Sequence, residues 1–156
     1  MQSTRRYSEK QYADGLESWR FLKLRGKKPL FTSPFGDVFL TDRKGIWFLD
    51  TIGGTLKLIA KNETDLAALL ASDEGEAEYL MVSVAQLAED AGLVPEDNQV
   101  YDFNVPPALG GPMDLSNLGV LDFVVKLNIA GQIQGQVRKL KPGTKISGIS
   151  IDGAKP

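Results

Sequence analysis

Histidine and cysteine are both absent from the 156 residues. Their absence removes Ser-His and Cys-His nucleophile pairs and the usual zinc sites, which need imidazole or thiolate ligands. Disulfides are excluded as well. Any catalysis must then rest on Asp, Glu, Lys, Tyr or a hard cation held by carboxylates. Carboxylates are plentiful, but a pair does acid–base work only when the fold sets both in one cleft. There is no P-loop, no GxGxxG after a strand, no HExxH and no GxSxG. Asp114-Leu115-Ser116-Asn117 lacks the rest of an EF-hand loop. The expectation is a chain with no catalytic site, no metal and no cofactor.

Charge is the stronger signal. The net value is −2, yet no Lys or Arg occurs from 62 to 125, where 13 acids fall. Residues 1–61 carry 12 bases against 6 acids, and residues 126–156 carry 6 bases against Asp152 alone. Such asymmetry points to an electrostatic partner surface, or to acids that pair with the basic ends inside the fold. Asp73, Glu74, Glu76 and Glu78 open one expected helix, and Glu89, Asp90, Glu96 and Asp97 lie at or beyond its end. At about 1.5 Å per residue the two ends stand apart, so a partner reads one group or the face between them. The N-terminal group is favoured, since four acids exceed what a helix dipole needs. Pro106, Pro107, Gly110 and Gly111 form a stiff-then-flexible loop, the next candidate for partner binding. Arg25-Gly26-Lys27-Lys28 reads as a solvated loop, because a nucleic-acid patch needs more bases with interleaved aromatics.

The elements that carry these residues follow from pattern. Apolar runs at 38–40, 46–49 and 56–59 are separated by Asp42-Arg43-Lys44-Gly45 and Ile52-Gly53-Gly54. They predict an antiparallel meander. Ser8 with Gln11 forms a capping box for a helix over 9–18, and Asn62 caps a second helix that stops near Ser72. A third is expected from Asp73 to Ala91, with Tyr79, Leu80, Val84, Leu87 and Ala91 on one face. Strands are read over 100–105 and 117–121. Asp122 caps a long helix to Leu140, in which Val125, Ile129, Ile133 and Val137 recur every four residues. Gly131 and Gly135 are read as letting it lie close on the sheet, and an edge strand is expected over 145–151. The fold class is α+β: a single domain (1–156) with a β-meander packed against helices, Trp47 in its core, and loose ends at 1–7 and 152–156. No apolar run approaches the roughly 18 residues of a membrane span. The opening MQSTRRYSEKQYADG lacks a signal-peptide core. A cytoplasmic protein is expected.

Three stretches together carry a resemblance. They are Trp19-Arg20-Phe21-Leu22 with Ser33-Pro34-Phe35-Gly36-Asp37-Val38-Phe39; Trp47-Phe48-Leu49-Asp50-Thr51 with Gly54-Thr55-Leu56; and Tyr101-Asp102-Phe103 with Pro106-Pro107-Ala108-Leu109-Gly110-Gly111 and Asn128-Ile129-Ala130-Gly131-Gln132-Ile133. In order and spacing, from about residue 12 to 149, these resemble the C-terminal domain family of type VI secretion immunity proteins, which protect against a DNase toxin. Family members often carry a histidine near Gln134; this chain does not, which argues against any histidine-dependent role. The family's usual upstream domain is expected to be short or missing. The resemblance implies a non-enzymatic protein that binds a cognate toxin, with neither nucleic acid nor membrane as partner. A nuclease holds a polyanion in a basic cleft, so the acidic block fits that partner. Two readings from other classes stay open: a carboxylate-dependent hydrolase or transferase, and an accessory protein that docks through the meander edge.

Overall fold

Four of the five described α-helices start at a side-chain cap. The structure, a computed structural model, describes residues 4–141, 143–146 and 148–151. Ser8 Oγ accepts from the Gln11 N–H, and the Gln11 side chain accepts from the Ser8 N–H, which opens α1 (Glu9–Leu16). A 3-10 turn, Glu17–Trp19, continues it. Asn62 caps α2 (Glu63–Ala71), Ser72 caps the short α3 (Asp73–Gly75), and Asp122 caps α5 (Phe123–Val137). Between α3 and α5 lie a π-helical turn, Glu76–Leu80, and α4 (Val82–Asp90).

Four strands form one antiparallel sheet in sequential order: β1 (Lys28–Thr32), β2 (Val38–Asp42), β3 (Gly45–Asp50) and β4 (Thr55–Ala60). The meander lies where the turn signals put it, with Asp42 opposite Gly45 across the first turn. In the second turn Gly54 takes φ +72 and donates its N–H to the Asp50 carbonyl at 2.8 Å. A left-handed residue closes such a turn without the Cβ penalty only as glycine. β5 (Gln99–Phe103) and β6 (Leu118–Asp122) make a separate antiparallel pair.

Alternation gives the meander two buried faces. Val38, Leu40 and Leu49 pack with Tyr12 and Trp19 from the N-terminal helical segment and with Phe123 and Leu127 of α5. On the other face Phe39, Ile46 and Phe48 meet Leu66 of α2 and Tyr79 and Leu80 of the π turn. A third cluster sets Ala85 and Ala88 of α4 on Tyr101, Phe103 and Leu118 of the second sheet, with Phe35 between. This is the α+β architecture expected.

Several expectations are corrected. The helix from 73 to 91 is broken at Met81, which sits in the left-handed region (φ 48, ψ 43). Tyr79 and Leu80 fill the meander cluster while Ala85 and Ala88 fill the second-sheet cluster, so the two pieces take different directions. Leu87 is consequently exposed. On α5 the buried residues are Phe123, Lys126, Leu127, Gly131, Ile133 and Gln134; of the four-residue repeat only Ile133 is among them, while Val125, Ile129 and Val137 are half-buried. Gly131 closes on the 3-10 turn instead of the sheet: a Cβ there would lie 2.8 Å from the Trp19 ring and would clash with Ser18 Oγ. Trp47 is only half-buried, with Nε1 donating to Asp42 at 2.8 Å; Trp19 is the core tryptophan. β1 was missing from the expectation, because Lys28-Pro29 reads as a turn.

The expected strand over 145–151 does not form among the described residues there. Residues 4–7 are not loose. Arg5 exchanges both backbone hydrogen bonds with Thr32 at 2.7 and 2.8 Å, and Tyr7 stacks on Phe123 with ring centroids 3.9 Å apart. Residues 1–3 and 152–156 lie outside the described residues. Among the described residues no helix is long and apolar enough to cross a membrane.

Candidate functional site

The quoted motifs meet in one buried polar network. In the 33–37 turn, Ser33 Oγ accepts from the Phe35 and Asp37 N–H groups at 3.2 and 3.1 Å and donates to Asp37 Oδ2 at 3.0 Å. Asp37 Oδ1 accepts from the Thr51 N–H at 2.8 Å and from the Thr51 hydroxyl at 2.6 Å. Lys126 of α5 completes the set: its Nζ donates to Thr51 Oγ1 at 2.5 Å and to the Phe35 carbonyl at 2.7 Å. Ser33, Asp37, Thr51 and Lys126 are all 5% exposed or less. A buried ammonium and carboxylate persist only when hydrogen-bonded, and here both are. About two turns further along α5, Gln134 Nε2 donates to the Ile52 carbonyl at 2.7 Å. The network therefore anchors α5 to the β3–β4 turn and fixes one wall of a cleft.

The cleft opens between that wall and the end of β5. Ile129, Ala130 and Ile133 line it from α5, Asp102 and Phe103 from β5, Thr51 and Ile52 from the turn, and Pro106, Pro107 and Ala108 from the loop. Asn117 holds the loop in place. Its Oδ1 accepts from the Val105 N–H at 2.9 Å, while Nδ2 donates to the Val105 and Pro112 carbonyls at 2.8 and 2.9 Å. The cavity volume is about 40 Å³. By this measure a single water needs roughly 10–15 Å³, so the space suits the tip of a side chain, not a nucleotide or other cofactor. Burial holds the Asp102 carboxyl above the usual carboxylate range, opposed by the Lys126 charge and by the Phe103 N–H. Burial, reinforced by Asp37, raises Asp50 in the same way, although the Gly53 and Ile52 N–H groups stabilise its charged form. Perturbed carboxylates in a cleft mark a candidate site. Among the described residues no cluster of three or more Asp or Glu is arranged to hold a metal ion.

A second hollow adjoins the cleft and shares Ile52 with it. Asp50, Gly53, Lys57, Glu78, Tyr79, Met81 and Met113 line it, with a volume of about 280 Å³. Of the acidic candidates, this places Glu78 in one hollow with Met113. Glu78 lies 3.9 Å from Lys57, an exposed pair worth little. Asp73 and Glu74 are exposed and Glu76 is half-buried on the segment leading to it. Glu89 and Asp90 end α4, where Gln86 donates to Asp90 at 2.9 Å. Glu96 and Asp97 belong elsewhere: their carbonyls accept from the Arg5 guanidinium at 3.0 and 3.4 Å. Gly110 and Gly111 close the loop and do not line the cleft. Sequence reasoning missed Asp102 and Lys126. The available signal was Lys126 itself, the first base after the acidic stretch and a lone charge inside an apolar helix.

No curated protein matches the chain. The crystal structure of Atu4351 from Agrobacterium tumefaciens is similar in fold, with a TM-score of 0.57 at 18% identity. The likeness covers 83% of this chain and 66% of that one, so this chain spans just under two thirds of its length. Residues 60–134, which hold the acidic stretch, the loop and the α5 wall of the cleft, match the family described as T6SS immunity protein Tdi1, C-terminal. That match supports the type VI secretion immunity protein family for this segment of the chain.

Proposed function

We propose that the protein binds a cognate secreted antibacterial toxin and neutralises it in a non-covalent complex, without catalysis of its own. The match of residues 60–134 to the immunity family carries this reading. The toxin we favour is a nuclease, acting in the cytoplasm. A nuclease presents a basic cleft to its polyanionic substrate, and residues 62–125 of this chain offer acids with no Lys or Arg. Charge of opposite sign speeds encounter above the roughly 10⁵–10⁶ M⁻¹s⁻¹ of unsteered association. The contact surface in this reading runs from Glu78 across the hollow at Ile52 and Met113 to the cleft at Asp102, with Pro106 and Pro107 as its far rim.

The test is co-expression with a toxic product of a gene neighbouring this chain's own. Restored growth and co-purification as a stable complex are expected. Unrelieved toxicity with no complex on gel filtration would overturn the reading.

A further inference from the structure

We propose that Asp102 receives a cationic side chain of the partner, a lysine or arginine whose alkyl stem lies against Pro106, Pro107 and Ile129. The identity of the partner rests on the immunity reading above; the chemistry of the receptor rests on the cleft itself.

Three observations carry it. First, the Asp102 carboxylate stands in the cleft half-buried, and among the described residues it joins no ion pair and takes only the Phe103 N–H. A carboxylate withdrawn from water without a directly paired counter-charge is costly, and an incoming cation reduces that cost. Second, the nearest ammonium is already committed. Lys126 Nζ is bound by the Phe35 carbonyl and Thr51 Oγ1, and its side chain is 5% exposed. This also decides against an anionic ligand: the cleft's cation is buried and already bonded, while Asp102 lines the cleft only half-buried. Third, shape agrees. Pro106, Pro107, Ala108, Ile129, Ala130 and Ile133 give the cleft a broad apolar lining, which suits the stem of a long basic side chain. The volume of about 40 Å³ takes the head group alone. In the adjoining hollow Asp37, Asp50 and Glu78 stand against Lys57 alone, so acids outnumber bases there.

The experiment has two arms. In the first, n-butylammonium and n-butylguanidinium chlorides are titrated into the ¹⁵N-labelled protein, with n-butanol as the neutral control. Saturable shifts at the Asp102, Phe103 and Ile129 amides are expected from the cations and not from butanol, and Asp102→Asn should abolish them. The unperturbed spectrum of Asp102→Asn shows whether that variant keeps the fold. A larger response to one cation tells lysine from arginine. Equal shifts from butanol, or shifts that persist in the Asn variant, overturn the proposal. In the second arm the neighbouring toxin is bound to both proteins, and Asp102→Asn should weaken the complex on the order of tenfold to a hundredfold, the range for a lost charge-assisted contact. Unchanged toxin affinity in that variant overturns the proposal while leaving the immunity reading intact. Failure of the wild-type protein to bind the toxin, with the cation shifts present, overturns the immunity reading and leaves the receptor.

Discussion

Lys126→Met should weaken the fold out of proportion to its single charge. The methionine fills a similar volume, so the loss is of hydrogen bonds rather than of packing. The Phe35 carbonyl, bonded to Nζ at 2.7 Å, loses this buried donor, and an unsatisfied buried carbonyl costs about 1–3 kcal/mol. Thr51 keeps its own bond to Asp37 but loses the donor at its oxygen. Asp37, 3% exposed, loses the positive charge that Thr51 relays to it. Removing the direct partner of a buried charge costs about 3–5 kcal/mol. Here the contact passes through a hydroxyl, and the desolvation of the ammonium is recovered. The net expectation is about 2–4 kcal/mol. With a urea slope of about 2 kcal/mol/M, the unfolding midpoint should fall by about 1–2 M. Thr51→Val supplies the control. The double variant should fall short of the summed single effects by more than about 0.5 kcal/mol, because the residues share one network. A midpoint shift under about 0.3 M for Lys126→Met, or strict additivity with Thr51→Val, would refute the network as drawn.

Gly131→Ala should cost about 1–3 kcal/mol by overpacking against Ser18 and Trp19, with a change in tryptophan emission as its spectral sign. Trp19→Ala should cost about 3–5 kcal/mol, since the ring is fully buried and Nε1 donates to the Leu127 carbonyl at 2.8 Å; Trp47→Ala, at a half-buried ring, should cost less. Asp102→Asn should raise stability at neutral pH. Its carboxyl binds its proton more tightly folded than unfolded, so wild-type stability falls as pH rises from the ordinary value of 3.8 through the raised folded one, and the Asn variant should lack that fall. Urea midpoints for both proteins across that pH range provide the check. Reversing Glu74, Glu76 and Glu78 to Lys should slow association with a basic toxin and flatten its salt dependence while leaving the urea midpoint in place; stopped-flow rates at two ionic strengths measure it, and an unchanged rate at low salt excludes that surface.

What the sequence disclosed was mostly local. Ser8, Asn62 and Asp122 announce their helices because a cap is decided within three residues. The meander shows because its turns lie between alternating runs. The rest depends on distant partners. Lys126 and Gln134 look like solvent positions on a helix, and turn inward only because Phe35, Thr51 and Ile52 offer oxygens far along the chain. Met81 has no glycine to advertise its left-handed backbone; two separate cores impose it. β1 hides behind Lys28-Pro29, a pair that reads as a loop and becomes a strand by pairing with β2. Asp102 was visible as one acid among many, and its isolation appears only once the cleft is built.

The outer margin of β1 has a consequence for how copies of this molecule behave in a crowded solution. An uncovered strand edge invites another strand to join it. Here Pro29 offers no amide hydrogen, Lys28 brings a charge, and the Arg6 guanidinium donates to the Leu30 carbonyl at 3.4 Å. Arg5 occupies both backbone groups of Thr32. Little is left along this margin for ladder-wise addition, so copies meeting there slide off rather than polymerise. A tag, fusion or truncation that draws residues 4–7 away unmasks the Thr32 amide and the Phe123 ring at once. It thereby turns a self-sealed margin into an adhesive one.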